Sequence, residues 1–564
     1  MINAVVGGGL ATLLCVGVVE GSGGEPDEPV APTAGEVVET GVLSFAILDP
    51  AGEPIPARLT FIGAGGPGAD LFVNPDAKPH DLAVRSNVVY SLSGEGRITV
   101  PAGSYTVYAS HGLEWSIDSK KIRIEKGDEV AWTARLVHEL DTTGWVSGDF
   151  HLHTLTYSGH GDANMNERIV SLVAEGVEFA VATDHNHHTD YNPTINQLGA
   201  GQKITAVTGN EISTPIGHFN SFPLDPSRPP VDHRLRDAEA LFTLVRREPN
   251  PFGVVPVIQI NHPRWGSIDH FGLAGLDPVT AETNPDVWSD GFDSIEVFNE
   301  NPGWGYYDAD VEPTSFVRAS RHSVLYDWFN LLNRGHRYAA VGNSDSHEVY
   351  ATYAGYPRNF IRSSTDDPAA IDPAEIAAAI RSKSLFTTLG PFVEFEVDGH
   401  SMGETFTADD SRLRLHVRVR AVSWVDCDRV KVVINGAVAK VIEVPDRRDL
   451  TRLDTEVDLE VAADSWIVLL VEGDDSLAPI VHDGARPVLP LAVSNPVWVD
   501  ADGDGKWTPP WQATVAWVGR HGDDAETLLA EYEKRTPVER GLLVLAALTA
   551  LAFLRRYGRP RSRA

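Results

Sequence analysis

Cysteine is nearly missing: the 564 residues hold only Cys15 and Cys427. That excludes a disulfide framework and a multi-cysteine zinc finger. Positive charge is also short, with 46 Lys and Arg against 79 Asp and Glu and a net charge of −33. A surface this acidic repels phosphate backbones, so no stable nucleic-acid complex is expected. A small phosphorylated substrate remains admissible, because a bound cation can reverse the field locally. No Gly-x-Ser-x-Gly elbow is present, and Cys427 stands in a β-patterned stretch without an evident partner, so neither a serine nor a cysteine nucleophile is indicated. No repeat of fixed period is seen.

Long hydrophobic runs are confined to the ends. Residues 2–19 are uncharged and mostly apolar or glycine, like a secretory h-region, although no Lys or Arg precedes them. Residues 541–554 form an uncharged, mostly apolar run of 14, followed by Arg555, Arg556, Arg559, Arg561 and Arg563. A full span takes about 20 apolar residues, so this tail reads as a short membrane segment or a sorting signal whose cationic end stays cytoplasmic. The two ends together predict an exported protein, periplasmic or on the cell surface, tethered through its tail to the membrane or the sorting machinery. The sequence leaves the oligomeric state open.

What is abundant is histidine, and it is clustered: 13 of the 20 histidines lie between His151 and His347. The chain divides into a signal-like segment and linker (1–40), a β-sandwich (41–142), a metal-binding module (143–395), a second β-domain (396–510), a linker (511–538) and the hydrophobic tail (539–564). The flanking domains show short β-rich runs between Gly/Pro turns. The central module alternates apolar strand-like runs with helical stretches, which predicts an α/β parallel sheet or barrel with working residues at the C-terminal strand ends.

Asp149-Phe150-His151-Leu152-His153 opens this module, and in an extended segment the two imidazoles point the same way. Asp184-His185, Glu211, His218, His262 and Asp345-Ser346-His347 follow, most of them directly after an apolar run. Mixed imidazole and carboxylate donors suit Zn, Mn or Fe rather than Ca or Mg. A carboxylate can bridge two ions, and paired ions can activate water and neutralise a leaving oxygen. Asp184 either orients a ligand histidine or caps the next element. His187 and His188 read as loop residues, and Arg264 and Trp265 as either substrate contacts or packing.

The order of these segments over about residues 145–395 resembles the PHP (polymerase and histidinol phosphatase) metallohydrolases. Phe386-Thr387-Thr388-Leu389-Gly390-Pro391 and the flanking β-domains resemble their CehA/McbA-type branch. The resemblance implies a distorted (β/α)7 TIM-like barrel with two or three divalent metals. One ion would be held by His151, His153, Glu211 and Asp345. Glu211 would bridge to a second with His218 and His262, and a third would take His185, His347 and a donor from the 158–162 loop. There His160 and Asp162 both offer a donor, with His160 preferred. Asp184, Glu211 and His347 are the candidates for catalytic work. The implied activity is hydrolysis of a small-molecule phosphoester, with carbamate or carboxylic ester hydrolysis as the alternative on the same metals. From another class, the chain reads as a surface-displayed, non-catalytic binding protein.

Near the end, Asp500, Asp502 and Asp504 alternate around Gly503 and Gly505, like the start of a Ca²⁺ loop, but Trp511 stands where a bidentate Glu is needed.

Overall fold

The computed structural model describes residues 38–513 except 65, 68–69, 79, 278–280, 300–323, 409, 446–448 and 485–486. The expected export segment and the hydrophobic tail lie outside the described residues. Among the described residues no helix is long and apolar enough to cross a membrane.

The N-terminal part is built from a four-stranded and a six-stranded sheet. Strand Thr40–Leu48 alternates buried and half-buried positions, the period-2 signature of a strand with one face in a core. Leu43, Phe45 and Ile47 from it meet Leu59, Phe61, Val107, Ile122 and Trp132 in one apolar cluster, the filling of a sandwich.

The central part begins as a parallel β-α-β-α-β unit. Strand Trp145–Leu152 pairs with Phe179–Ala182, which pairs with Thr205–Thr208. The crossovers carry helices Met165–Ala174 and Asn192–Leu198. Helix Met165–Ala174 starts at a capping box, in which Asn164 accepts from the Glu167 N–H and Glu167 from the Asn164 N–H. A second sheet follows, with Asn210–Thr214, Gly217–Phe222, Val257–Ile260, Ser294–Asn299 and Ala339–Asn343 in that order.

Among the described residues these strands fall into two hydrogen-bonded sheets, and the expected distorted (β/α)7 barrel is not shown as one continuous ladder. The chain changes sheet at Gly209, where a Cβ would lie 2.6 Å from Val181 Cγ1 and 3.1 Å from the Ala182 carbonyl. The next two strands form an antiparallel hairpin, with Glu211 opposite Asn220. Isolated parallel bridges, His185 to Glu211 and Leu152 to Ser346, join the two sheets at one end. The architecture is mixed α/β and rich in sheet.

On its other side, Trp145–Leu152 pairs antiparallel with Arg358–Arg362, and that strand with Leu385–Thr388. Helix Pro373–Ser382 lies between them, capped by Asp372 and with proline in its first turn. The sheet then runs on without a break: Phe386 lies opposite Ser494, and further strands follow to Ala437–Glu443. A boundary at residue 395 therefore does not interrupt the hydrogen bonding, because Leu385–Thr388 has a partner on each edge. Arg412–Arg420 alternates exposed and buried residues as its sequence predicts, and packs between Phe392–Val397 and Thr451–Glu460.

Candidate metal centre

Strand ends and the turns after them deliver the clustered side chains to one place. His151 and His153 come from Trp145–Leu152 and the residue after it; Asp184 and His185 follow Phe179–Ala182. Glu211 sits in Asn210–Thr214, His218 in Gly217–Phe222, His262 just after Val257–Ile260, and Asp345 and His347 after Ala339–Asn343. Two of these residues sit at positive φ, His262 at 25° and Asp345 at 49°. Non-glycine residues held there mark turns fixed by their surroundings and cluster at functional sites.

Glu211 is the hub. Its Oε1 lies 2.9 Å from His218 Nδ1 and 3.1 Å from His262 Nε2. Its Oε2 lies 2.9 Å from His185 Nδ1, 3.3 Å from His153 Nε2 and 3.4 Å from His151 Nε2. Asp345 Oδ1 stands 3.2 Å from His151 Nε2 and 3.0 Å from His153 Nε2. Four groups of three donors have their ligand atoms within 4.8 Å of one another: His153, His185 and His347; His151, His262 and Asp345; His151, His153 and Glu211; His185, Glu211 and His218.

The tautomers are set from behind. His151 Nδ1 lies 3.0 Å from Glu296 Oε1, His153 Nδ1 3.0 Å from Ser158 Oγ, and His347 Nδ1 2.9 Å from the Asp345 carbonyl. Each bond leaves the other ring nitrogen, Nε2, facing the centre. His153 Nε2, Glu211 Oε2 and His347 Nε2 are buried without a hydrogen-bond partner. His153 Nε2 and Glu211 Oε2 lie 3.3 Å apart but without the alignment a hydrogen bond needs. Buried polar atoms are rarely left this way, and such a donor set fits transition-metal ions.

The charges answer one another. Burial would raise Glu211, but the imidazoles of His185, His151 and His218 hold it well below the usual carboxylate range. Burial would lower His151, but Asp345, Glu296 and Glu211 hold it well above. Burial pushes Asp345 up to about 6 against the pull of His151. Burial, with His160 adding to it, pushes His347 down to about 3.

Every expected metal-site residue except His160 falls in one of those four groups. His160 is exposed, and its ring lies over the same cluster, 4.4 Å from the His347 ring and 5.0 Å from that of His185. Asp162 turns away: Oδ2 accepts from Arg85 and Oδ1 from the Val349 N–H. Asp184 is not aimed at the centre. It is buried beneath Thr154 and Ser158, with Oδ1 accepting from the Thr154 N–H at 2.6 Å and from Ser158 Oγ at 2.7 Å. The Ser158 hydroxyl it holds lies in turn 3.0 Å from His153 Nδ1. Arg264 is buried and pairs through Nε and Nη2 with Asp327, so it does not serve as a substrate contact. His187 bonds Thr189 and His188 the Asp225 carbonyl, as loop residues do.

Glu296 is the residue that sequence reasoning missed. Besides His151, it accepts from the His262 N–H at 2.7 Å and from Asn343 Nδ2 at 3.0 Å. Asn261 Nδ2 adds a bond to Glu211 Oε1 at 3.1 Å.

In the late acidic loop, Asp500 and Asp502 group with Asp464, which the local motif does not contain. Asp504 stays outside that group and accepts from the Lys506 N–H. The Asp500 oxygens accept from Gly503, Gly505 and Thr407, so the loop is satisfied internally.

No family model and no curated protein matches the chain. Among solved structures, it is similar to a two-domain protein from Bacteroides vulgatus containing a predicted PHP-like metal-dependent phosphoesterase, with 14% identity over 64% of this chain and 96% of that one and a TM-score of 0.32. It is also similar to the β-glucuronidase of Parabacteroides merdae, with 7% identity, 82% and 60% covered and a TM-score of 0.16. At scores this low neither likeness assigns the fold or the activity of this chain.

Proposed function

We propose that this chain is a PHP-type metal-dependent hydrolase that cleaves small-molecule phosphoesters with water. The observation that carries the reading is the Glu211 carboxylate, ringed by five imidazole nitrogens at 2.9–3.4 Å. His151, His153, Glu211 and Asp345 would hold one ion, and Glu211, His218 and His262 a second. His160, His185 and His347 would hold a third. His262 also groups with His151 and Asp345, so the first two ions would share their ligands closely. Bound divalent ions supply Lewis-acid activation of water and neutralise charge on a leaving oxygen.

The chain's own residues do the rest. Glu296 and Ser158 fix the ring orientation of His151 and His153. Asp184 holds Ser158, and Asn261 helps hold Glu211. The preference for phosphorus as electrophile follows the order of the ligand motifs, which resembles the PHP pattern.

The test is a panel of phosphoesters, aryl carbamates and carboxylic esters given to protein loaded with Zn, Mn or Fe. Phosphoester turnover that disappears on chelation and in Glu211→Gln is expected. Turnover of carbamates alone overturns the phosphoesterase assignment. Metal binding with no turnover of any class favours the binding-protein alternative.

A further inference from the structure

Arg85 lies outside every motif that carries the centre, yet all five of its N–H donors are engaged. It ends strand Leu82–Arg85 of the six-stranded sheet in the N-terminal sandwich. Nε donates to Asp162 Oδ2 at 3.2 Å, and Nη2 to the Asp162 carbonyl at 2.7 Å. Nη1 and Nη2 grip Glu167 Oε1 and Oε2 at 2.8 and 2.9 Å, and Nη1 also bonds the Val84 carbonyl at 2.8 Å. The fork geometry that meets a carboxylate with two donors is peculiar to arginine.

The two acids it holds frame a short loop. Glu167 closes the capping box of helix Met165–Ala174. Asp162 and Ala163 donate their N–H groups to the His347 carbonyl at 3.1 and 3.3 Å, and Asp162 Oδ1 accepts from the Val349 N–H at 2.7 Å. Gly161, at φ 81°, comes so near that a Cβ would lie 2.4 Å from the His347 carbonyl oxygen. The loop thus rides on the backbone of His347, and its His160 ring stacks on His347 and His185.

We propose that Arg85 is a positioning residue for the third ion, fixing from the N-terminal sandwich the loop that presents His160 to His185 and His347. The proposal rests on the metal-centre reading above. It makes the sandwich part of the centre rather than an appendage, because one of its residues sets the His160 side of the ligand shell.

The test uses chelated full-length wild type, Arg85→Met, Arg85→Lys and Asp162→Asn. Each is titrated with Zn²⁺ by calorimetry, and bound ions are counted by elemental mass spectrometry after desalting. Wild type is expected to hold three ions. Arg85→Met should bind the weakest of them about 10–100-fold less tightly, the cost usual for an outer-shell partner, and the other two as wild type does. Arg85→Lys, which can meet one acid but not both, should fall between. Asp162→Asn, which leaves the sandwich untouched, should repeat the selective loss and replaces Arg85→Met if that variant does not fold. Wild-type count and affinity in both Arg85→Met and Asp162→Asn overturn the proposal, as does an equal loss of all ions. Wild type that binds two ions also overturns it, whereas wild type that binds none overturns the metal-centre reading itself.

Discussion

The carboxylate of Glu296 lies 3.0 Å from Nδ1 of His151, with both side chains fully buried. This contact decides which nitrogen of His151 faces Glu211 and Asp345, and it makes the imidazole a stronger donor. Glu296→Gln keeps the shape and removes the charge. Its affinity for the ion at His151 should fall about 10–100-fold, read by Zn²⁺ titration of chelated protein, while turnover at saturating metal recovers most of the wild-type value.

Glu211 belongs to two of the four donor groups and contacts five histidines. Glu211→Gln should therefore remove more than one ion per chain, in contrast to a single-ion loss in His218→Ala. Elemental analysis of the two variants side by side checks the difference. Equal losses would contradict a shared bridging carboxylate.

Asp184 acts through Ser158, so its removal should be felt in geometry rather than in chemistry. Asp184→Asn leaves a buried donor short of a good acceptor and should cost about 1–3 kcal/mol of stability, seen in denaturant unfolding. Its kcat should return toward wild type at high metal concentration. A kcat that stays low with all ions bound would give Asp184 a direct role.

His270 gives a pH dependence away from the hub. It is buried and bonds the Ile216 carbonyl through Nδ1, and burial pushes it down to about 4. The folded state keeps it neutral, while the unfolded state takes a proton below about 6.5. Its contribution is therefore intact above pH 6.5 and is lost as pH falls toward 4, at about 1.4 kcal/mol per pH unit. His270→Phe should be less stable than wild type at pH 8, by about the 1 kcal/mol of a lost hydrogen bond, and the gap should narrow or invert at pH 5. Urea unfolding of chelated protein at both pH values reads this.

Arg58 and Glu175 form a fully buried ion pair at 3.0 Å, with Arg58 Nη2 also donating to the Ile480 carbonyl at 2.7 Å. The bonds tie the N-terminal sandwich to the central module and to the C-terminal part. Arg58→Met leaves Glu175 buried without its partner and should cost about 3–5 kcal/mol, measured as a lower midpoint in denaturant unfolding.

The ligand residues were legible because most follow an apolar run directly, so chemistry and strand end coincide in the sequence. Glu296 was not legible. It sits inside an apolar stretch rather than after one, and only the structure shows that Ser294–Asn299 is buried along its whole length with the acid 3.0 Å from His151 Nδ1. Asp464 was hidden for another reason: it joins Asp500 and Asp502 from a distant segment, and a local motif sees only its own loop. The split into two sheets at Gly209 and the antiparallel 210–222 hairpin were not legible either, because two short strands look alike in sequence whether they pair parallel or antiparallel. Arg85 carried no signal at all, since an arginine at a strand end is ordinary until its partners are known.

The most direct measurement is a metal count on purified protein with anomalous scattering from its crystals. The account predicts two or three transition-metal ions, with Glu211 between at least two of them and His151, His153 and Asp345 around one. A protein that binds no such ion at these side chains contradicts it.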